Sequence, residues 1–153
     1  MPVINLTELR ARLPKGARLI GLDPGRRRIG VALSDVELRL AGPYATLQRG
    51  RLATNAAEIA AIARREEAGG LVVGLPLSMD GTAGPAAQAA RDWAHALSAA
   101  TGLPAALWDE RLSTMAAERL LIDEAGLSRR RRAEVVDRAA AAHILQAALD
   151  ATR

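Results

Sequence analysis

Two short apolar runs, LVVGLP at 71–76 and PAALWDE at 104–110, each follow a stretch with helical spacing, and they restrict the fold more than any other feature. A continuous apolar run of this length marks a strand buried on both faces, as in parallel sheets. Parallel neighbours need a right-handed crossover, and one helix fits in each intervening segment. The helix before the first run reads TNAAEIAAIARREEAGG: Ala57, Ile59, Ala60, Ile62 and Ala63 have helical spacing. Asn55 and Glu58 are spaced as a start signal, and Gly69-Gly70 reads as a stop. The Gly/Pro-rich stretch PLSMDGTAGP leads into a second helix over 85–100. Further helices are expected over 113–124 and 129–150, separated by Gly126 and opened by Ser128.

The first half reads differently. Strands are expected over 18–23, 28–34 and 40–48, in antiparallel succession. Asp23-Pro24-Gly25-Arg26 suits a type II turn, with proline at the second position and a glycine of positive φ at the third. The element order is therefore β-β-β-α-β-α-β-α-α, an α/β chain with a mixed five-stranded sheet flanked by helices. One domain over 18–153 is expected, preceded by residues 1–17 as a short extension, an arm or single helical turn closed by Pro14 and Gly16.

Composition narrows the function classes. Trp93, Trp108 and Tyr44 are the only aromatic rings, which argues against a base-stacking platform. No cysteine is present, so disulfides and thiolate metal sites are excluded. The N-terminus lacks the apolar core of a signal peptide, and no run reaches the ~18 apolar residues of a membrane span. A soluble cytoplasmic protein without a membrane partner is expected. The formal charge of +4 is compatible with a nucleic-acid partner.

Ligands of open α/β sheets gather at the carboxyl ends of the parallel strands. Here those ends are Asp23, Leu75-Pro76 and Trp108-Asp109-Glu110, two of the three finishing in acids. Such acids also serve as helix caps or, for Asp109 and Glu110, as ion-pair partners of Arg111. Asp137 is more constrained: Ala140, Ala141, Ile144, Leu145 and Ala148 follow it at helical spacing, so it lies on the stripe that packs on the sheet. A carboxylate there must protonate, pair with an arginine or bind a cation. Glu134, one turn earlier, reads as a surface residue. Oxygen-only ligation suits Mg²⁺ or Mn²⁺. His95 and His143 read as packing residues on helices.

The segments GLDPGRRRIGVALSD, VVGLPLSMDGT, DERLST followed by AERLL, and VVDRAAAAHILQAALD, in this order, resemble the YqgF/RuvX family, described as Holliday-junction-resolvase-like and as pre-16S rRNA nucleases. The resemblance runs from Arg18 to Asp150. It implies an RNase H-like fold and a magnesium-dependent nuclease whose acids are Asp23, Glu110 and Asp137, with Asp109 matching the same motif as Glu110. Pre-rRNA or branched DNA would be the substrate, and a symmetrical junction would call for a homodimer. Arg26, Arg27 and Arg28 beside the first acid, Arg111 beside the second, and Arg129, Arg130, Arg131 and Arg132 ahead of the third are the candidate phosphate contacts. Two other readings compete. The first motif also resembles the phosphate-1 hairpin of the actin and sugar-kinase superfamily, which points to an ATPase. A nucleic-acid-binding ribosome-biogenesis factor without catalysis would keep the same fold.

Overall fold

The computed structural model describes residues 3–76, 84–109 and 129–153, with side chains from 131 onward in the last segment. The helix expected over 113–124 lies outside the described residues. In chain order the elements are α1 (Leu6–Arg12), β1 (Arg18–Pro24), β2 (Arg28–Ser34), β3 (Ala41–Gln48), α2 (Leu52–Glu66), β4 (Ala68–Leu75), α3 (Pro85–Thr101), β5 (Ala105–Asp109) and α4 (Arg129–Ala151). The five strands form one sheet in the order β3-β2-β1-β4-β5. β1, β2 and β3 pair antiparallel, while β1, β4 and β5 are mutually parallel. This is the mixed sheet that the strand and helix patterns imply.

The sheet is covered on both faces. Ile20, Leu22, Ile29, Val31, Leu71 and Val73 point to the layer built by α2 and α3, where Ile59, Trp93 and Leu97 meet them. Leu19, Ala32, Val72 and Ala106 point the other way, onto α1 and the stripe Ala141, Ile144, Leu145, Ala148 and Leu149 of α4. Period-2 alternation in the strands thus divides these side chains between two layers. α1 belongs to the second layer, burying Leu6 and Leu9, and Val3 bridges to Ala105 at the sheet edge. Among the described residues no helix is long and apolar enough to cross a membrane.

Three local expectations are corrected. Gly25 does not take a positive φ, so the hairpin tip is not a type II turn. β1 continues through Pro24, and the Gly25 N–H donates to the Arg28 carbonyl at 2.9 Å. Glycine is needed there for close approach instead, because a β-carbon would lie 2.8 Å from that same oxygen. α2 starts at Leu52, three residues before Asn55. The Asn55 side chain is fully buried; it accepts from the Gly50 N–H and donates to the Gln48 carbonyl and to Glu58, tying β3 to the helix instead of capping it. The helix stops at Glu67, which takes a left-handed conformation, and Gly69-Gly70 belong to β4, where α1 packs so closely that a β-carbon on Gly70 would meet Leu9 at 2.8 Å.

The β2–β3 connection holds Leu38 at φ 58°. Asp35 stabilises it by accepting the Arg39 and Leu40 N–H groups at 2.8 and 3.1 Å, which hold its carboxyl below the usual carboxylate range. A depressed carboxyl contributes stability above its unfolded pKa and loses it as pH falls through the folded value. Asp35→Ala should therefore lower the thermal midpoint at pH 7, and the gap between the two midpoints should shrink as the pH falls through the lowered carboxyl value.

Candidate active site

The register of β1 and β2 decides where Asp23 points. Asp23 lies opposite Gly30, and directly opposed residues of an antiparallel pair send their side chains to the same face. A β-carbon built on Gly30 would land on the Asp137 carbonyl, so that face is the one α4 covers. Gly21, two residues before Asp23, gives the same answer: a β-carbon there would lie 2.8 Å from Leu145 Cβ and 3.1 Å from the Ala141 carbonyl. Two glycines let the α4 backbone lie almost on the sheet. From Gly21 to Asp23 the strand advances about 6–7 Å, and from Ala141 back to Asp137 the helix covers about 6 Å. The Asp23 and Asp137 backbones therefore stand at the same level, one strand apart, at the carboxyl end of β1.

Neighbouring contacts fix this arrangement. Thr46, opposite Gly30 on its other side, donates its hydroxyl to the Glu134 carbonyl at 2.6 Å and pins the early turns of α4 to β3. Glu134 itself is half-buried and not a plain surface residue. Arg28 leaves β2 on the same face as Gly30, and its Nε donates to Asp137 Oδ2 at 2.6 Å; the two side chains are 28% and 24% exposed. Grouped by sequence with the phosphate contacts, Arg28 is thus engaged with one of the candidate acids.

Asp109 goes elsewhere. It is registered with Leu75, which packs against Ala87 and Ala90 of α3, whereas Trp108 before it packs with the α4 layer. Asp109 therefore leaves the sheet on the face opposite Asp23 and Asp137. Glu110 and Arg111 lie outside the described residues, as do the side chains of Arg129 and Arg130. Among the described residues no three acidic or imidazole groups converge.

The hairpin tip carries exposed Arg26 and Arg27, and at the start of α4 Arg131 is exposed and Arg132 half-buried. Two arginines that the motifs do not contain follow β3, and the first of them joins the tip. The Arg49 N–H donates to the Arg27 carbonyl at 2.9 Å, and its guanidinium donates to the Gly25 carbonyl at 2.8 Å while lying 5.5 Å from the Trp93 ring centroid. Exposed Arg51 follows as the residue ahead of α2. The signal for them is QRGR at 48–51, read together with the pairing of Arg28 with Gln48.

The family model described as RuvX: Holliday junction resolvase matches residues 17–151. This chain belongs to the RuvX family. The RuvX relatives include a Gluconacetobacter diazotrophicus protein named "Putative pre-16S rRNA nuclease", 60% identical over 99% of each chain. An Acidiphilium cryptum protein of the same name is 61% identical over 98% of this chain and 94% of its own. Among solved structures, Thermus thermophilus RuvC in complex with Holliday junction substrate aligns with TM-score 0.52 and 17% identity, over 88% of this chain and 94% of that one. The yeast mitochondrial Holliday junction resolvase Ydc2 aligns with TM-score 0.51 and 12% identity, over 97% and 85%. These likenesses establish the RNase H-like fold expected from the motifs.

Proposed function

We propose that this RuvX-family chain is a divalent-metal-dependent nuclease that hydrolyses phosphodiester bonds, acting in the cytoplasm on the 5′ end of pre-16S rRNA. The observation that supports this reading is that Asp23 in β1 and the Asp137 backbone of α4 both lie beside Gly30, at the carboxyl end of β1. The names of the full-length relatives support the rRNA substrate.

The donors fit a hard cation in kind: oxygen only, from two acids carried on neighbouring elements, with no cysteine in the chain. Asp23 and Asp137 would hold it. Of the two acids after β5 we assign Glu110 as the third, since Asp109 faces α3. Bound there, Mg²⁺ or Mn²⁺ supplies an attacking water of lowered pKa and positive charge for the leaving oxygen. The chain then has to deliver the phosphodiester. Arg26 and Arg27 at the hairpin tip, with Arg51 ahead of α2, neutralise phosphates on one side of the acids, and Arg129 to Arg132 do so at the start of α4, where four cations would otherwise oppose the helix dipole. Arg111, next to Glu110, completes the set.

Replacing Arg26, Arg27 and Arg51 together by alanine should weaken RNA binding and flatten its salt dependence, by about 0.7 in slope per lost contact on a single strand and about 0.9 on a duplex. An unchanged slope removes the phosphate role. The reading as a whole is tested by a panel of substrates with Mg²⁺ or Mn²⁺: precursor 16S rRNA, single-stranded DNA and a four-way junction. Metal-dependent cleavage of the precursor, abolished by EDTA, is expected. Preferred, symmetrical cleavage of the junction by a homodimer would make the chain a resolvase instead. RNA binding without cleavage, indifferent to Asp23→Asn, would make it a non-catalytic factor.

A further inference from the structure

We propose that Arg28 is the resident counter-cation of this site: in the metal-free protein it holds the Asp137 carboxylate, and a divalent cation gains Asp137 by displacing it. The inference rests on the reading of Asp137 as a metal ligand. The Asp137 carboxylate is partly withdrawn from water and is costly there unless positive charge stands beside it. The structure supplies that charge from β2, two residues before the glycine that lets α4 approach.

The form of the contact suits exchange. A guanidinium grips a carboxylate most firmly with a two-point fork. Here the bond runs through Nε to Oδ2 alone, and both side chains keep about a quarter of their surface in water, where an ion pair is screened and weak. Arginine does not deprotonate in proteins, so it can leave Asp137 only by moving. Arg28 sits at the base of the hairpin whose tip carries Arg26 and Arg27, so a displaced guanidinium enters the tract assigned to phosphate. The same residue then belongs to the acid without metal and to the nucleic acid with it.

The test is a calorimetric MnCl₂ titration of the full chain, without nucleic acid, on wild type, R28Q, R28M, R28K and D137N, with thermal midpoints of each in EDTA and in saturating Mn²⁺. Removing the charge in R28Q or R28M should tighten Mn²⁺ binding about tenfold, the size of the repulsion between single and double positive charges a few ångströms apart under water-like screening. R28K, which keeps the charge, should bind within about twofold of wild type. R28Q should melt below wild type in EDTA and level with it in Mn²⁺. Mn²⁺ binding by R28Q and R28M that equals or falls below wild type overturns the counter-cation role while leaving the ligand assignment standing, provided D137N loses binding. If D137N binds Mn²⁺ as wild type does, or wild type binds none, the ligand assignment fails and the inference with it. R28M stands in should R28Q not fold.

Discussion

Asp23→Asn is expected to slow Mg²⁺-dependent cleavage of precursor 16S rRNA by ~100-fold or more while the protein stays folded, more than the 10–100-fold typical of losing a supporting group around a metal. Asparagine keeps the shape and one acceptor oxygen but loses the charge that a hard dication requires. β1 is held by backbone pairing on both sides and by Leu19, Ile20 and Leu22, none of which the substitution touches. Asp137→Asn should match it in cleavage and also lower the thermal midpoint, since it gives up the Arg28 ion pair. Single-turnover cleavage and a melting curve on each variant check this. A folded Asp23→Asn protein that cleaves at the wild-type rate would remove Asp23 from the chemistry.

The second large effect is structural. In Gly30→Ala the new β-carbon would coincide with the Asp137 carbonyl, and the Arg138 nitrogen would lie 3.1 Å away. These are backbone atoms of a packed helix, with no side-chain torsion to relieve the clash. α4 must lift off β2, taking Asp137 and the Thr46 anchor with it. Overpacking costs about 1–3 kcal/mol, and a backbone clash belongs at the upper end. For a chain of this size about 3 kcal/mol lowers the midpoint by roughly 6–12 °C. Cleavage should fall as well. Gly42→Ala, in β3 with nothing within 4 Å of its β-carbon, is the matched control and should change neither quantity. An unaltered midpoint in Gly30→Ala would mean that α4 does not lie on Gly30.

Much of this was readable from residue order. Apolar runs separated by helical spacing led to the parallel β1-β4-β5 core, and the alternation before them to the antiparallel trio. Asp137 stands out because the residues that follow it at helical spacing are all apolar, and α4 does press that stripe onto the sheet. What eluded the sequence depends on through-space partners. Asn55 has the spacing of a cap, yet its amide is used by Gly50 and Gln48, which only the β3–α2 corner brings near. Gly25 fits a turn type by composition, whereas its actual constraint is the Arg28 carbonyl. Arg28 itself, one of three consecutive arginines, is singled out by strand alternation: its side chain shares a face with Gly30 and so meets an acid 109 residues away in the chain. Arg49 reaches the tip through the β2–β3 pairing, beyond the span of any motif.

The most direct test of the central claim is anomalous scattering from crystals of the full chain soaked in Mn²⁺. A peak about 2.1–2.2 Å from oxygens of both Asp23 and Asp137, with Arg28 swung away from Oδ2, is the result this account predicts. Manganese absent from that spot, with Arg28 still clasping Asp137 and Asp23 turned to a different partner, would contradict it.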